Sequence, residues 1–188
     1  MANRIPKRLF NKHTLCALVV AAGAMLSHTS PAAPTGLEWV YGTPPAPELK
    51  LPLHGDEQPA FDLKSLQGKV VLINFWGTWC PPCREEMPSI QRLKDKFKQQ
   101  PFEVVAVHLG PGKEDIARFV QEMEPPLDAV IVIDEDAVTS KDWQIRGLPL
   151  TWIVDHTGAV HYKATGDREW DNAHITERIA KMIEAIPQ

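Results

Sequence analysis

The sequence predicts an α/β domain in which a mixed central sheet is flanked by helices. Three observations carry that expectation. The runs KVVLINF (69–75) and EVVAVHL (103–109) are short and almost continuously apolar, as strands buried on both faces are. They alternate with amphipathic stretches of helical period, the signature of layered α/β architecture. Two further strand-like runs then flank the turn sequence DHTG (155–158), and a final helical pattern closes the chain.

Taken in order, LKLPL (49–53) and PAFDL (59–63) read as short strands around the polar turn HGDEQ. KVVLINF follows as a buried strand. After Cys83, apolar Met87, Ile90, Leu93 and Phe97 recur at helical spacing, with Arg92, Lys94, Asp95 and Lys96 on the outer face. Pro88 lies inside this helix and removes one backbone donor, so a kink is expected there. EVVAVHL is the next strand. EDIARFVQEM (114–123) is an amphipathic helix stopped by Pro125 and Pro126. AVIVI (129–133) is a strand, and a short helix is expected around Thr139 to Trp143. LTWIV (150–154) and VHYKA (160–164) form the closing strand pair. Asp171 or Asn172 caps the last helix, which turns Ile175, Ile179, Ile183 and Ile186 inward.

The first residues follow another logic. Arg4, Lys7, Arg8 and Lys12 make a basic start, 15–26 is an apolar run, and small residues surround Ser30-Pro31-Ala32. This is the pattern of a secretory signal, assigned to residues 1–32. The run is shorter than the roughly 20 residues needed to cross a bilayer, which favours cleavage, with retention as an anchor as the alternative. Cys16 lies in that run and reads as a small hydrophobe. Residues 33–48, rich in Pro, Ala and Thr, read as a linker, and 49–188 as the domain. Of the 188 residues, 44% are apolar and 23% charged, a balance that supports a core without disulfide staples. The formal charge of −4 becomes −8 once the four basic residues of the N-terminal segment are removed. An acidic body without a basic patch argues against nucleic acid as a partner.

The chemistry concentrates in NFWGTWCPPCREEMP (74–88). Cys80 follows a buried strand and opens a helix, where unpaired N–H groups and the helix dipole stabilise a thiolate. That makes Cys80 the expected nucleophile and Cys83, one turn on, the expected resolving thiol. A bridge between the two closes only a small loop and adds little to global stability, unlike a structural staple. Pro81 and Pro82 fit the first helical positions and remove two N–H donors from the vicinity of Cys80. Thiolate stabilisation is therefore moderate, which points to a reductant rather than a strong oxidant. A structural zinc site lacks a second cysteine pair, and covalent haem attachment lacks a histidine after Cys83, where Arg84 stands. Copper binding by the two thiols stays open as the alternative. No cofactor or metal is otherwise called for. Trp79 beside Cys80 is a candidate cover for the disulfide, and Trp76 a core or site-wall residue. Glu85 and Glu86 suit the N-terminal half of a helix electrostatically and receive no further role. Trp143, Trp152 and Trp170 receive none either.

These residues resemble the active-site segment of thioredoxin-superfamily proteins of the TlpA/ResA type, related to CcmG/DsbE. Trp79-Cys80, Cys83-Arg84 and Pro88 carry the likeness, and RGLPLTWIVDHTG (146–158) resembles the second landmark of the family. The resemblance runs from about Leu49 to Ile186. It implies a thioredoxin-like fold in which 114–133 supplies an extra αβ insert, a cis bond before Pro149, and Pro149 facing the cysteine pair. It also implies a periplasmic disulfide reductase acting on exported proteins, with apocytochrome c as a leading substrate and a membrane thiol donor as reductant. There are departures. Asn74 stands where thioredoxin has a buried acid. Pro111 stands in HLGPGKED (108–115) where ResA-like members often have a glutamate, leaving Glu114 or Asp115 as substitutes. His108 reads as structural. Leu150 follows Pro149 where threonine is commoner, a change at the substrate groove.

Overall fold

A computed structural model of the protein describes residues 36–187, except for the side chains of 56–59. The signal-like segment and Cys16 lie outside the described residues. The elements are β1 (Glu38–Trp39), β2 (Lys50–Leu53), β3 (Asp56–Asp62), β4 (Val70–Trp76), α1 (Pro81–Lys96), β5 (Phe102–Leu109), α2 (Ile116–Glu122), β6 (Val130–Asp134), β7 (Leu150–Val154), β8 (Val160–Thr165) and α3 (Ala173–Glu184).

All strands join one sheet in the order β1-β8-β7-β4-β5-β6-β2-β3. β4, β5 and β6 run parallel, and the flanking strands are antiparallel to their neighbours. The mixed sheet expected from the alternating pattern is therefore present. β4 lies at its centre and every residue in it is buried. Its side chains alternate between two faces. Val70, Leu72 and Trp76 pack with Met87, Ile90 and Leu93 of α1 and Ile175 and Ile179 of α3. Val71, Ile73 and Phe75 pack on the other face with Leu49, Trp143 and Trp152. Asn74 has the parity of the first set, so it points toward α1. In α3, Asn172 rather than Asp171 is the cap, its Oδ1 accepting the Ile175 N–H at 3.0 Å. Ile179 is fully buried. Ile179→Ala is expected to destabilise the fold by about 2–5 kcal/mol, read by urea unfolding with the disulfide intact.

The structure revises three expectations. The turn between β2 and β3 is confined to His54 and Gly55, because the second strand begins at Asp56. Residues 139–143 form turns rather than a helix. Ala137 and Gln144 take positive φ at either side and bracket the segment, and the Asp134 carboxylate closes its first turn by accepting from Val138 N–H, Thr139 N–H and Thr139 Oγ1. The described part of the expected linker is tied to the sheet. β1 pairs with β8, Pro45 bridges Ala159, and Leu37 is buried. Prolines break this contact into separate short bridges, because each removes a ladder donor. Among the described residues no helix is long and apolar enough to cross a membrane.

Candidate active site

Strand register brings the site together. β4 ends at Trp76, beside His108 of the parallel β5. β7 runs the other way, so its first residue, Leu150, pairs with Phe75 at that same end. Pro149 thus enters the sheet next to the loop that leads from β4 to the cysteines. The Leu148–Pro149 peptide bond is cis, as the resemblance implied.

Cys80 is the N-cap residue of α1, with Pro81 and Pro82 in its first positions. Missing proline donors cost least there. Cys80 and Cys83 form a disulfide. Cys80 retains 5% exposure and Cys83 none, so an external sulfur reaches Cys80 first. Trp79 is 58% exposed. Its indole N–H donates to Leu109 O at 3.2 Å. A Cβ on Gly77 would lie 2.7 Å from that indole nitrogen, so a larger residue at 77 would have to displace the Trp79 ring.

His108 is buried and accepts the Thr78 N–H through Nε2 at 3.2 Å. Burial, reinforced by the charge of His54 and opposed by Glu114, pushes its pKa down and keeps it neutral as that acceptor. Its structural reading therefore holds in a specific form, since it anchors the loop preceding Cys80.

The buried acid is Glu86, which sequence reasoning passed over. It lies three residues after Cys83, on the same face of α1, and both are buried. Asn74 Nδ2 donates to its Oε1 at 2.7 Å, and Trp170 Nε1 to its Oε2 at 2.9 Å. Asn74 Nδ2 also donates to Thr151 Oγ1 at 2.9 Å. Ser89 fastens the arrangement, accepting Trp170 N–H at 2.9 Å and donating to Glu86 O at 2.7 Å. Arg168 stacks its guanidinium over the Trp170 ring. It donates to the carbonyls of Gly36, Thr165 and Gly166. Burial raises the Glu86 pKa from 4.5 to about 7, against the opposing pull of the Trp170 and Asn74 bonds and the Arg168 charge. A carboxyl that titrates near neutrality can take and return a proton, and this one lies one helical turn from Cys83.

The two substitutes considered from sequence do not serve. Glu114 is exposed, and Asp115 pairs with Arg118 at 2.6 Å on the rim of the insert. Trp170 likewise gains a role that its sequence context did not show. The one available signal was the period of α1, which places residue 86 with Cys83 and Ile90 on the buried side. Among the described residues, no group of three or more His, Cys, Asp or Glu side chains is placed to hold a metal ion.

A mixed sheet, a C-x-x-C disulfide capping the helix after the central strand, and a cis-proline at the same sheet end together define a thioredoxin-like domain. The AhpC/TSA family model matches residues 43–163, and the chain belongs to that family. It is similar to the thiol-disulfide oxidoreductase ResA of Geobacillus kaustophilus, 36% identical over 124 residues, 66% of this chain and 67% of that protein. It is 36% identical over 110 residues to the ResA protein of Halalkalibacterium halodurans, 58% of this chain and 61% of that one. The matches thus span about three fifths to two thirds of those relatives. Among solved structures, a Chlorobium tepidum chain assigned as thiol:disulfide interchange protein DsbE superposes with a TM-score of 0.64 at 27% identity, covering 80% of this chain and 99% of that one. StoA from Bacillus subtilis shares the fold, with a TM-score of 0.55 at 20% identity, covering 74% of this chain and 98% of that one. The TlpA/ResA-type resemblance seen in the sequence is matched by these relatives.

Proposed function

We propose that the protein is a thiol–disulfide oxidoreductase that reduces disulfides in exported proteins outside the cytoplasm. The observation that carries this reading is the Cys80–Cys83 disulfide at the N-terminus of α1 with the buried Glu86 carboxyl one turn behind it. The relatives named thiol-disulfide oxidoreductase support it.

In the working direction the reduced pair acts as follows. The Cys80 thiolate attacks one sulfur of a substrate disulfide, forms a mixed disulfide, and expels a substrate thiolate that takes a proton from solvent. Glu86, as carboxylate, accepts the Cys83 proton. The Cys83 thiolate then attacks Cys80 Sγ, the mixed disulfide breaks, and the second substrate thiol leaves with a proton. Two electrons pass to the substrate, and the Cys80–Cys83 disulfide remains. A membrane thiol donor supplies two electrons to restore the dithiol. Pro149, at the cis turn beside this end of the sheet, and exposed Trp79 border the place where a substrate strand approaches.

The N-terminal signal pattern supports a periplasmic location, and the TlpA/ResA resemblance supports apocytochrome c as a substrate. The test is insulin reduction with a thiol donor, run beside Cu(I) competition titration. Turnover that depends on both cysteines is the expected result. Tight Cu(I) binding without turnover would replace this reading with that of a copper-handling module.

A further inference from the structure

We propose that Asn74 is a positioning residue that turns its side-chain amide over when Glu86 gains or loses a proton, and that the Thr151 hydroxyl turns with it. This deepens the reading of Glu86 as the proton-exchanging acid beside Cys83 and takes its functional meaning from that reading. The geometry behind it is independent.

Asn74 lies in the central strand and is fully buried. Both hydrogens of its Nδ2 are used, one toward Glu86 Oε1 at 2.7 Å and one toward Thr151 Oγ1 at 2.9 Å. Its Oδ1 is buried and has no partner. A buried acceptor left unmade is costly, so this orientation needs a reason. An ionised Glu86 provides it. A carboxylate only accepts, and here it receives N–H groups on both oxygens, from Asn74 and from Trp170.

The neutral acid has a different requirement, because its O–H must donate. The indole N–H of Trp170 is a donor only and cannot adapt. The amide of Asn74 can. A half-turn of the amide places Oδ1 where Nδ2 had been. The proton then belongs on Glu86 Oε1 and is donated to Asn74 Oδ1, while Oε2 keeps the Trp170 bond. The Thr151 hydroxyl, an acceptor in the ionised state, donates to the same Oδ1. Each state leaves one Asn74 atom without a partner, Oδ1 when Glu86 is charged and Nδ2 when it is neutral. The amide therefore supports both forms.

Arg168, from the segment after β8, is the charged group acting on Glu86, and it is itself acted on by Glu38 and Asp167. Cys83 is the group on the same helix, and β4 and β7 present Asn74 and Thr151. An aspartate at position 74 would instead place two carboxyls together, where one must hold a proton for the other to ionise.

Neutron diffraction from crystals of the oxidised wild-type protein at pH 5 and pH 9 tests this directly, since deuterated nitrogen and oxygen are distinguishable. Nδ2 is expected to face Glu86 at pH 9 and Oδ1 at pH 5. The same orientation at both pH values overturns the proposal. A second measurement follows the Glu86 carboxyl by carbon NMR in Asn74→Leu. An amide that serves both states predicts that its removal moves the titration midpoint by less than about one pH unit, a tenfold change in Ka. A larger rise would mean that Asn74 supports only the carboxylate, and would also overturn the proposal. Failure of the functional reading looks different. Unchanged disulfide exchange in Glu86→Gln would remove Glu86 from the chemistry, and the diffraction result would still stand.

Discussion

Cys83→Ser is expected to abolish turnover in insulin reduction and to accumulate mixed disulfides between Cys80 and its substrates. Cys80 is the only one of the pair with exposed surface, and it caps α1, so the first attack survives the substitution. The second attack does not, because serine cannot resolve the bond. Cys80→Ser is expected to abolish turnover as well, but to trap almost nothing. Non-reducing gels with mass spectrometry of the captured species read the difference. Trapping by Cys80→Ser and not by Cys83→Ser would reverse the two roles. The fold itself is expected to tolerate both changes, because the bridge closes a short local loop within a large buried core.

Glu86→Gln is expected to slow disulfide exchange at neutral pH by about 100-fold, the loss typical of a missing general base. The same variant is expected to become more stable. The sign follows from linkage. The carboxyl ordinarily titrates at 4.5, and burial raises it to about 7 in the folded protein. The folded state therefore binds more proton than the unfolded state between these values. The stability due to the neutral acid is fully present below pH 4.5 and is lost as pH rises through about 7. Above that pH the ionised group costs roughly 3 kcal/mol, since each tenfold change in Ka corresponds to about 1.4 kcal/mol. Thermal unfolding of the oxidised protein from pH 4.5 to 8 should show this decline in the wild type and a much flatter profile in Glu86→Gln. Equal profiles would place the Glu86 titration elsewhere.

The barrier between what could be read and what could not runs along the kind of interaction involved. β4, β5, α1 and α3 were legible because burial imposes a period on the sequence, and those segments carry it over five or more residues. The cysteine pair was legible because its chemistry depends on local spacing and on the strand before and helix after it. Residues 139–143 misled because left-handed backbone at Ala137 and Gln144 brackets them, which composition and period do not announce. The Pro-rich stretch before Leu49 misled because composition alone does not reveal that β1 pairs with a strand more than 120 residues further along. Glu86 and Trp170 were missed for the same reason. A glutamate in the first turns of a helix suits the dipole wherever it points, and only its surroundings distinguish a solvated residue from a buried acid.

By itself, the sequence determined the α/β layering, the central buried strands, and the position of Cys80 and Cys83 at a helix start. Each of these follows from neighbours in the chain, through hydrophobic period, proline chemistry and helix polarity. The tertiary structure decided which acid stands behind Cys83 and how it is tuned. Asn74, Glu86, Thr151 and Trp170 come from four separate segments, and no local rule relates them. Only the packing of α1 and the segment before α3 against the sheet excludes water from the carboxyl, and it is that exclusion which moves its pKa toward neutrality.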